Sequence, residues 1–149
     1  RVCDAFYVGG TKNGALFGEA VVLKNTVDPG NTFRYHIKNR CAMLAKGFVL
    51  GIQFKALFED DLYFRLSRKA DRQAERIAEA FRSKGYGFLV ESHTNQVFPI
   101  LPSEAERELS ENFGFELWQK VDSSHNGVRF CTSWATTDEA VDELISRLP

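Results

Sequence analysis

Lys12 is the residue of this sequence whose neighbours point most directly to chemistry. An apolar run ends at Gly9 and Gly10, and the lysine follows with Gly14 close behind it. This order predicts a lysine in a turn at the C-terminal edge of a sheet, where ligands of open α/β folds bind. A partly desolvated lysine amine at such an edge is a nucleophile able to form a Schiff base. A surface lysine in an ordinary turn is the alternative.

Arg129 is a second candidate because its neighbours in the sequence are apolar or small. A strand is predicted at residues 128–134, and a guanidinium inside it needs an anionic partner, since an unpaired buried charge is costly. The carboxylate of an amino-acid substrate fits this need, because the planar guanidinium binds carboxylates through two parallel hydrogen bonds. The alternative is an edge-strand arginine paired with a nearby acidic residue such as Asp122.

Several sequence blocks together resemble a known family. They are GGTKNGALFGEAVV at residues 9–22, FRYHIKNRCAMLAKG at 33–47, LGIQF at 50–54 and GVRFCTSW at 127–134. In their order and spacing they resemble the threonine aldolase and β-eliminating lyase group, which are pyridoxal-phosphate enzymes of the aspartate-aminotransferase fold. The likeness covers nearly the whole chain and is weakest between residues 85 and 124.

The resemblance implies a role for particular residues of these blocks. Lys12 would hold pyridoxal 5′-phosphate as a Schiff base and move protons. Thr11 would hydrogen-bond the phosphate, with a role only in shaping the turn as the alternative. Lys38 and Arg40 would lie close to the cofactor phosphate or to a subunit interface, with a solvated basic face as the alternative. Arg129 would bind the substrate carboxylate.

The implied activity is that of a lyase acting on an amino acid, either by threonine aldolase-like Cα–Cβ cleavage or by β-elimination. The chain starts at Arg1 without a methionine, so we expect an N-terminal remainder of the same polypeptide to supply the other cofactor contacts. The family also implies a homo-oligomer. A non-catalytic α+β domain that keeps the fold without the cofactor is the rival interpretation.

The composition limits the other possibilities. With 149 residues, 44% hydrophobic content and 13 phenylalanines, the chain is expected to fold. A net charge of −1 gives no electrostatic case for nucleic acid or an acidic membrane, and no apolar run approaches a membrane span. Cys3, Cys41 and Cys131 are predicted to be reduced, buried thiols of a cytoplasmic protein. The three histidines are too scattered to predict a metal site.

The first half of the chain is predicted to contain two strands followed by helices. The strands are expected at residues 3–8 and 19–24, one helix at 33–46, and one long helix or two in series at 49–84. Thr32 is expected to cap the first helix and Gly47 to end it, and Gly85 is expected to end the last. Asp60 and Asp61 would lie on a helix face with diverging carboxylates.

The second half is predicted to form an antiparallel sheet covered by a final helix. Strands are expected at residues 86–91, 97–101, 115–121 and 128–134, with a short helix from 103 and an amphipathic helix from 137. Ser103 would cap the short helix, with Glu106 completing a capping box. Val141 and Leu144 would lie on the apolar face of the final helix.

The predicted fold therefore changes from α/β to α+β along the chain. Residues 1–48 would be the C-terminal end of a large cofactor-binding domain containing the Schiff-base lysine. Residues 49–84 would be a long connecting helix, and residues 85–149 would be a small α+β domain.

Overall fold

The computed structural model describes residues 2–149, which divide into two compact units, one up to Phe64 and the other Arg65–Pro149. The first unit has a two-stranded sheet and the second a four-stranded one. The three-part domain division stays a prediction. The strands are β1 (Ala5–Gly9), β2 (Glu19–Leu23), β3 (Gln96–Val97), β4 (Ile100–Pro102), β5 (Glu116–Lys120) and β6 (His125–Cys131). The helices are α1 (Phe33–Asn39), α2 (Phe48–Phe58), α3 (Leu62–Ser83), α4 (Ser103–Ser110) and α5 (Asp138–Ser146).

Strands β1 and β2 flank the turn that contains Lys12, as the sequence predicts. They pair antiparallel, from Ala5 opposite Leu23 to Gly9 opposite Glu19. The chain reverses between them through Gly14, whose φ of 97° lies in the left-handed region that glycine adopts at little cost.

Helix α1 is shorter than the predicted helix at 33–46, because the chain leaves the helix at Cys41. This residue has a φ of 56°, and its N–H donates to the Lys38 carbonyl while the Ala42 N–H donates to the Ile37 carbonyl. These two bonds form a Schellman C-cap, which usually contains glycine at the left-handed position. Because this position is occupied by cysteine and not by glycine, the end of the helix could not be predicted from the sequence.

The cap at the start of α1 also differs from the prediction. Thr32 makes no side-chain capping bond. Instead the Asp28 carboxylate accepts hydrogen bonds from the Phe33 N–H at 2.9 Å and from the Thr32 N–H at 2.7 Å. These bonds, with one from the Thr32 hydroxyl, hold the pKa of Asp28 below its ordinary value.

The segment at 49–84 contains two helices in series, α2 and α3, and not one continuous helix. They are separated at residues 59–61, where Asp60 and Asp61 have φ values of 50° and 57°. The prediction that these two residues share a helix face is therefore wrong. Aspartate tolerates the left-handed region better than most residues do. The predicted end at Gly85, with φ 84°, is confirmed.

The sheet of the second unit is antiparallel, as predicted, and β6 pairs with each of its other three strands. Strand β6 begins three residues before the predicted strand at 128–134. The reason is a short turn in which the Asp122 carboxylate accepts from the N–H groups of Ser124 and His125, at 2.7 and 2.8 Å.

The predicted strand at 86–91 is reduced to one bridge between Phe88 and Pro99. Pro99 has no N–H to donate, and it separates β3 from β4. The following helix is present as α4, as predicted, but its predicted N-cap and capping box are not. Ser103 is the first residue of α4 and makes no cap bond; its hydroxyl donates to the Ser124 carbonyl. Glu106 instead accepts a hydrogen bond from the Asn126 amide.

The core of the second unit joins the sheet to α3 and α5. Its members include Phe81, which is fully buried, and Val128. Helix α5 contributes Val141, Leu144 and nearby Leu148 to the same cluster, and Thr137 caps it by accepting from the Ala140 N–H. The prediction that the last helix covers the sheet is confirmed.

The three cysteines differ from the prediction in their burial. Cys3, Cys41 and Cys131 are free thiols, but all three are exposed. The prediction of burial was based on the apolar neighbours of the cysteines in the sequence. It is wrong because many apolar side chains of this chain are themselves exposed. None of the helices within residues 2–149 is long and apolar enough to cross a membrane.

Candidate functional site

Lys12 lies directly after β1 in a single 3₁₀ turn, Thr11–Asn13. The turn is closed by two hydrogen bonds to the Gly10 carbonyl, from the N–H of Asn13 at 2.9 Å and of Ala15 at 3.0 Å. The Lys12 side chain is exposed, so the expected partial desolvation is not found in this chain. No hydrogen bond or ion pair engages its amine within the described residues, which leaves the nitrogen accessible to a carbonyl compound.

Close contacts within the turn and with side chains of α2 fix its backbone. A Cβ atom at Gly10 would lie 2.6 Å from the Ala15 Cβ and 3.1 Å from the Phe54 ring. One at Gly18 would lie 2.3 Å from a Leu50 methyl. The glycines are therefore required for the turn to approach the helix as closely as it does.

Two side chains from the following segment hold the strand and the turn by hydrogen bonds. The side-chain amide oxygen of Gln53 accepts from the Leu16 N–H at 2.6 Å. The Tyr63 hydroxyl donates to the Gly9 carbonyl at 3.0 Å. The backbone on either side of Lys12 is thus positioned from α2 and from the start of α3.

The other predicted cofactor residues lie in the same unit. Thr11 is the first residue of the lysine turn, Lys38 lies in the last turn of α1, and Arg40 is the C-cap of that helix. All three are exposed. Their side chains form no hydrogen bond or ion pair with the part of the chain that the structure describes, so each is available to an anion. Asn13 is buried beside Lys12.

Arg129 lies in the second unit, on β6. Its Nη2 pairs with the carboxylate of Glu116, the residue directly opposite it on β5. Its Nη1 donates to the side-chain amide oxygen of Gln96 at 3.2 Å. The guanidinium carbon lies 4.7 Å from the centre of the Trp118 ring, which is within cation–π range.

The structure corrects two details of the alternative for Arg129. The arginine lies on a strand with partners on both sides, not on an edge strand, and its acidic partner is Glu116, not Asp122. The Asp122 carboxylate is engaged within its own turn. Hydrogen bonds from the Ser124 N–H and the His125 side chain lower the pKa of Asp122 to about 2.

Sequence reasoning missed the residues that support the two candidates. These are Gln53, Phe54 and Tyr63 around the lysine turn, and Gln96, Glu116 and Trp118 around the arginine. For Glu116 a usable signal existed: it and Arg129 are nearly equidistant from the turn that joins β5 to β6. For the others the sequence offered no local signal, because their contacts depend on packing between elements.

A solved structure of a threonine aldolase from Leishmania major matches the fold with a TM-score of 0.92 and 35% identity. The match covers 97% of this chain and 42% of that one. The chain therefore has the fold of the corresponding part of a threonine aldolase. No model of a known protein family matches it.

Two curated relatives agree with the structural match. The low-specificity L-threonine aldolases of Pseudomonas aeruginosa and of a Pseudomonas species are 31% and 29% identical over 142 residues. Each alignment covers 95% of this chain and 40% of the relative, so the chain spans about 40% of the length of these relatives. The chain is a homologue of the threonine aldolases and corresponds to their C-terminal part, as its sequence blocks predict.

Proposed function

We propose that this chain is the C-terminal part of a pyridoxal-phosphate-dependent lyase that acts on an amino acid, by threonine aldolase-like Cα–Cβ cleavage or by β-elimination. The observation that carries the proposal is the Lys12 amine, which projects without a partner from a turn whose backbone is held by two hydrogen bonds to one carbonyl. The similarity to threonine aldolases over 95% of the chain supports it.

Two features of the described residues support binding of the cofactor. An aldehyde needs an accessible primary amine, which Lys12 offers, and a phosphate needs donors without competing acceptors, which Thr11 and Lys38 offer. When bound, the cofactor would supply the electron sink for breaking a bond at the substrate α-carbon. Lys12 would attach the cofactor and afterwards carry a proton, while Thr11 and Lys38 would bind its phosphate.

Arg129 would bind the carboxylate of the amino acid. A guanidinium on a strand with partners on both sides presents its donors in a fixed geometry, which orients the substrate before reaction. The remaining contacts would come from the N-terminal remainder of the polypeptide and from a second subunit of a homo-oligomer.

Exposed free thiols suit a reducing compartment, so a cytoplasmic location is part of the proposal.

The large exposed apolar side chains of the first unit support a polypeptide partner for it. In helix α2 only Gln53 and Lys55 have polar side chains, yet its Phe48 and Ile52 are exposed. A helix with so few polar side chains is normally buried in a larger protein. We therefore infer that the remainder of the polypeptide covers these side chains.

Replacement of Lys12 in the complete polypeptide tests the proposal. Wild type supplied with pyridoxal phosphate should show a visible absorbance band that borohydride converts to a stable covalent adduct. Lys12→Ala should lose both the adduct and nearly all turnover. Lys12→Arg should fare no better, because a guanidinium stays protonated and does not form the linkage.

Lys46→Ala is the matched control, since Lys46 is also exposed and lies outside the lysine turn. It should retain the band and the adduct. An adduct that persists in Lys12→Ala would contradict the assignment of Lys12. A wild-type complete polypeptide with no adduct at all would favour the non-catalytic α+β domain.

A further inference from the structure

The hydrogen-bond donors of the Arg129 guanidinium do not all have partners within the described residues. One terminal nitrogen pairs with Glu116 and the other donates to Gln96. The Nε atom is buried and has no hydrogen-bond partner within residues 2–149. Because Nε and Nη2 share an edge of the guanidinium, a carboxylate that bound this edge with both oxygens would satisfy Nε and would replace Glu116 at Nη2.

The two partners of this ion pair differ in how firmly they are held. The Arg129 side chain is 25% exposed and that of Glu116 is 64% exposed. The arginine also stacks on Trp118, whose ring is braced edge-on by Phe98 at 5.4 Å. Glu116 can therefore turn into water at low cost, whereas Arg129 would have to leave its aromatic neighbour.

A β-bulge contributes to the position of Trp118. Leu117 lies opposite Val128 and Gln119 lies opposite Gly127, so Trp118 is the additional residue on β5. A bulge changes the direction of a side chain relative to regular pairing, and bulges occur frequently beside active sites. Here the bulged residue is the one whose ring contacts the guanidinium.

We propose that Glu116 is a displaceable internal carboxylate that occupies Arg129 until the carboxylate of an amino acid takes its place, and that Trp118 is a positioning residue that keeps the guanidinium in place during the exchange. This inference rests on the proposed substrate role of Arg129. In the empty site Glu116 offsets the cost of a largely buried charge. In return it competes with the substrate, which lowers the affinity of the enzyme for amino acids.

Kinetics of the complete enzyme test the exchange. Glu116→Gln keeps the size and one acceptor oxygen but removes the charge, so the KM for the amino acid should fall by about two- to five-fold, the range for an exposed ion pair, with kcat unchanged. Trp118→Leu should raise KM with little change in kcat. Glu104→Gln, an exposed glutamate on α4, should leave KM unchanged. A KM for Glu116→Gln that stays the same or rises would overturn the proposal.

Arg129→Ala separates a failure of this inference from a failure of the substrate role. It should reduce kcat/KM by at least about 30-fold, and adding Glu116→Gln should then have no further effect. If Arg129→Ala leaves KM unchanged, the substrate role of Arg129 is wrong. If Arg129→Ala raises KM but Glu116→Gln does not lower it, only the displacement is wrong.

A binding measurement on this chain gives a second readout that does not depend on activity. The chain has two tryptophans, so Trp134→Phe leaves Trp118 as its single fluorophore. Titration with sodium acetate should change the Trp118 fluorescence in a saturable way, relative to sodium chloride at equal ionic strength. Glu116→Gln should lower the apparent Kd for acetate, and Arg129→Ala should abolish the change. An equal acetate response in Arg129→Ala would contradict an exchange at this guanidinium.

Discussion

The two units of the chain hold their candidate residues in different ways. In the second unit Arg129 lies on a sheet packed over a continuous buried cluster that includes Phe81, Leu101 and Val141. In the described residues of the first unit the buried hydrophobic side chains are only Ala15, Phe54 and Leu57. Lys12 is nevertheless on a well-fixed backbone, because close contacts and hydrogen bonds substitute locally for a large core.

The difference shows that positioning a reactive side chain and stabilising a unit are separate tasks. The lysine turn is fixed by short-range constraints, namely glycines against α2 and a carbonyl that accepts two N–H groups. The sheet around Arg129 is fixed by the burial of large side chains. The first unit therefore depends on whatever covers its exposed apolar residues, whereas the second has the core of an independent domain.

Loss of the Phe81 ring should have the largest effect on the second unit. Phe81 is fully buried between Phe130 and Tyr86, with ring centres 5.4 and 5.5 Å away. Phe81→Ala should lower the free energy of unfolding by about 3–5 kcal/mol. Urea denaturation followed by tryptophan fluorescence measures this unit directly, because both tryptophans belong to it.

Val90→Ala is the control, because Val90 is a half-exposed residue of the same unit. It should change the free energy of unfolding by less than about 0.5 kcal/mol. Equal urea midpoints for Phe81→Ala and Val90→Ala would break the comparison, since the second unit would then not owe its stability to its core.

Gly10→Ala should disturb the lysine turn without affecting the second unit. The added methyl would lie 2.6 Å from the Ala15 Cβ, and such overpacking costs about 1–3 kcal/mol. Amide hydrogen exchange of Asn13 and Ala15, whose N–H groups donate to the Gly10 carbonyl, should accelerate by roughly ten-fold or more.

Gly9→Ala provides a matched control one residue away, because a Cβ atom there has nothing within 4 Å. Exchange at the two amides should remain close to that of wild type. If Gly9→Ala accelerates exchange as strongly as Gly10→Ala, close approach to α2 does not fix the turn.

The elements that were predicted correctly from the sequence were marked by glycine or by periodicity. The strands flanking Lys12, the end at Gly85 and the final helix follow from such signals. Two of the failures occurred at residues that adopt a glycine-like backbone without being glycine. Cys41 and Asp61 both have positive φ, and each ends or interrupts a helix where the hydrophobic pattern continues.

The candidate residues were easier to find than their surroundings. Lys12 and Arg129 stand out by residue type and neighbours, and the structure places them in a turn and a strand as predicted. Gln53 and Tyr63 contact the turn only because α2 and the start of α3 pack beside it, and Trp118 reaches Arg129 through a bulge. These contacts are set by tertiary structure, which a single sequence does not reveal.

Protonation of Asp122 should have the smallest effect, since it acts on one exposed turn of the second unit. Hydrogen bonds in the folded state lower the pKa of Asp122 from an ordinary 3.8 to about 2. A depressed folded-state pKa stabilises the protein above the unfolded-state pKa, and this contribution is lost as the pH falls from about 3.8 through about 2.

Asp122→Asn has no such titration. The difference in urea midpoint between wild type and Asp122→Asn should therefore be present at pH 5 and shrink towards pH 2. A wild-type advantage over Asp122→Asn that stays constant from pH 5 to pH 2 would mean that the turn gains nothing from the charged carboxylate, and that the core alone accounts for the stability of this unit.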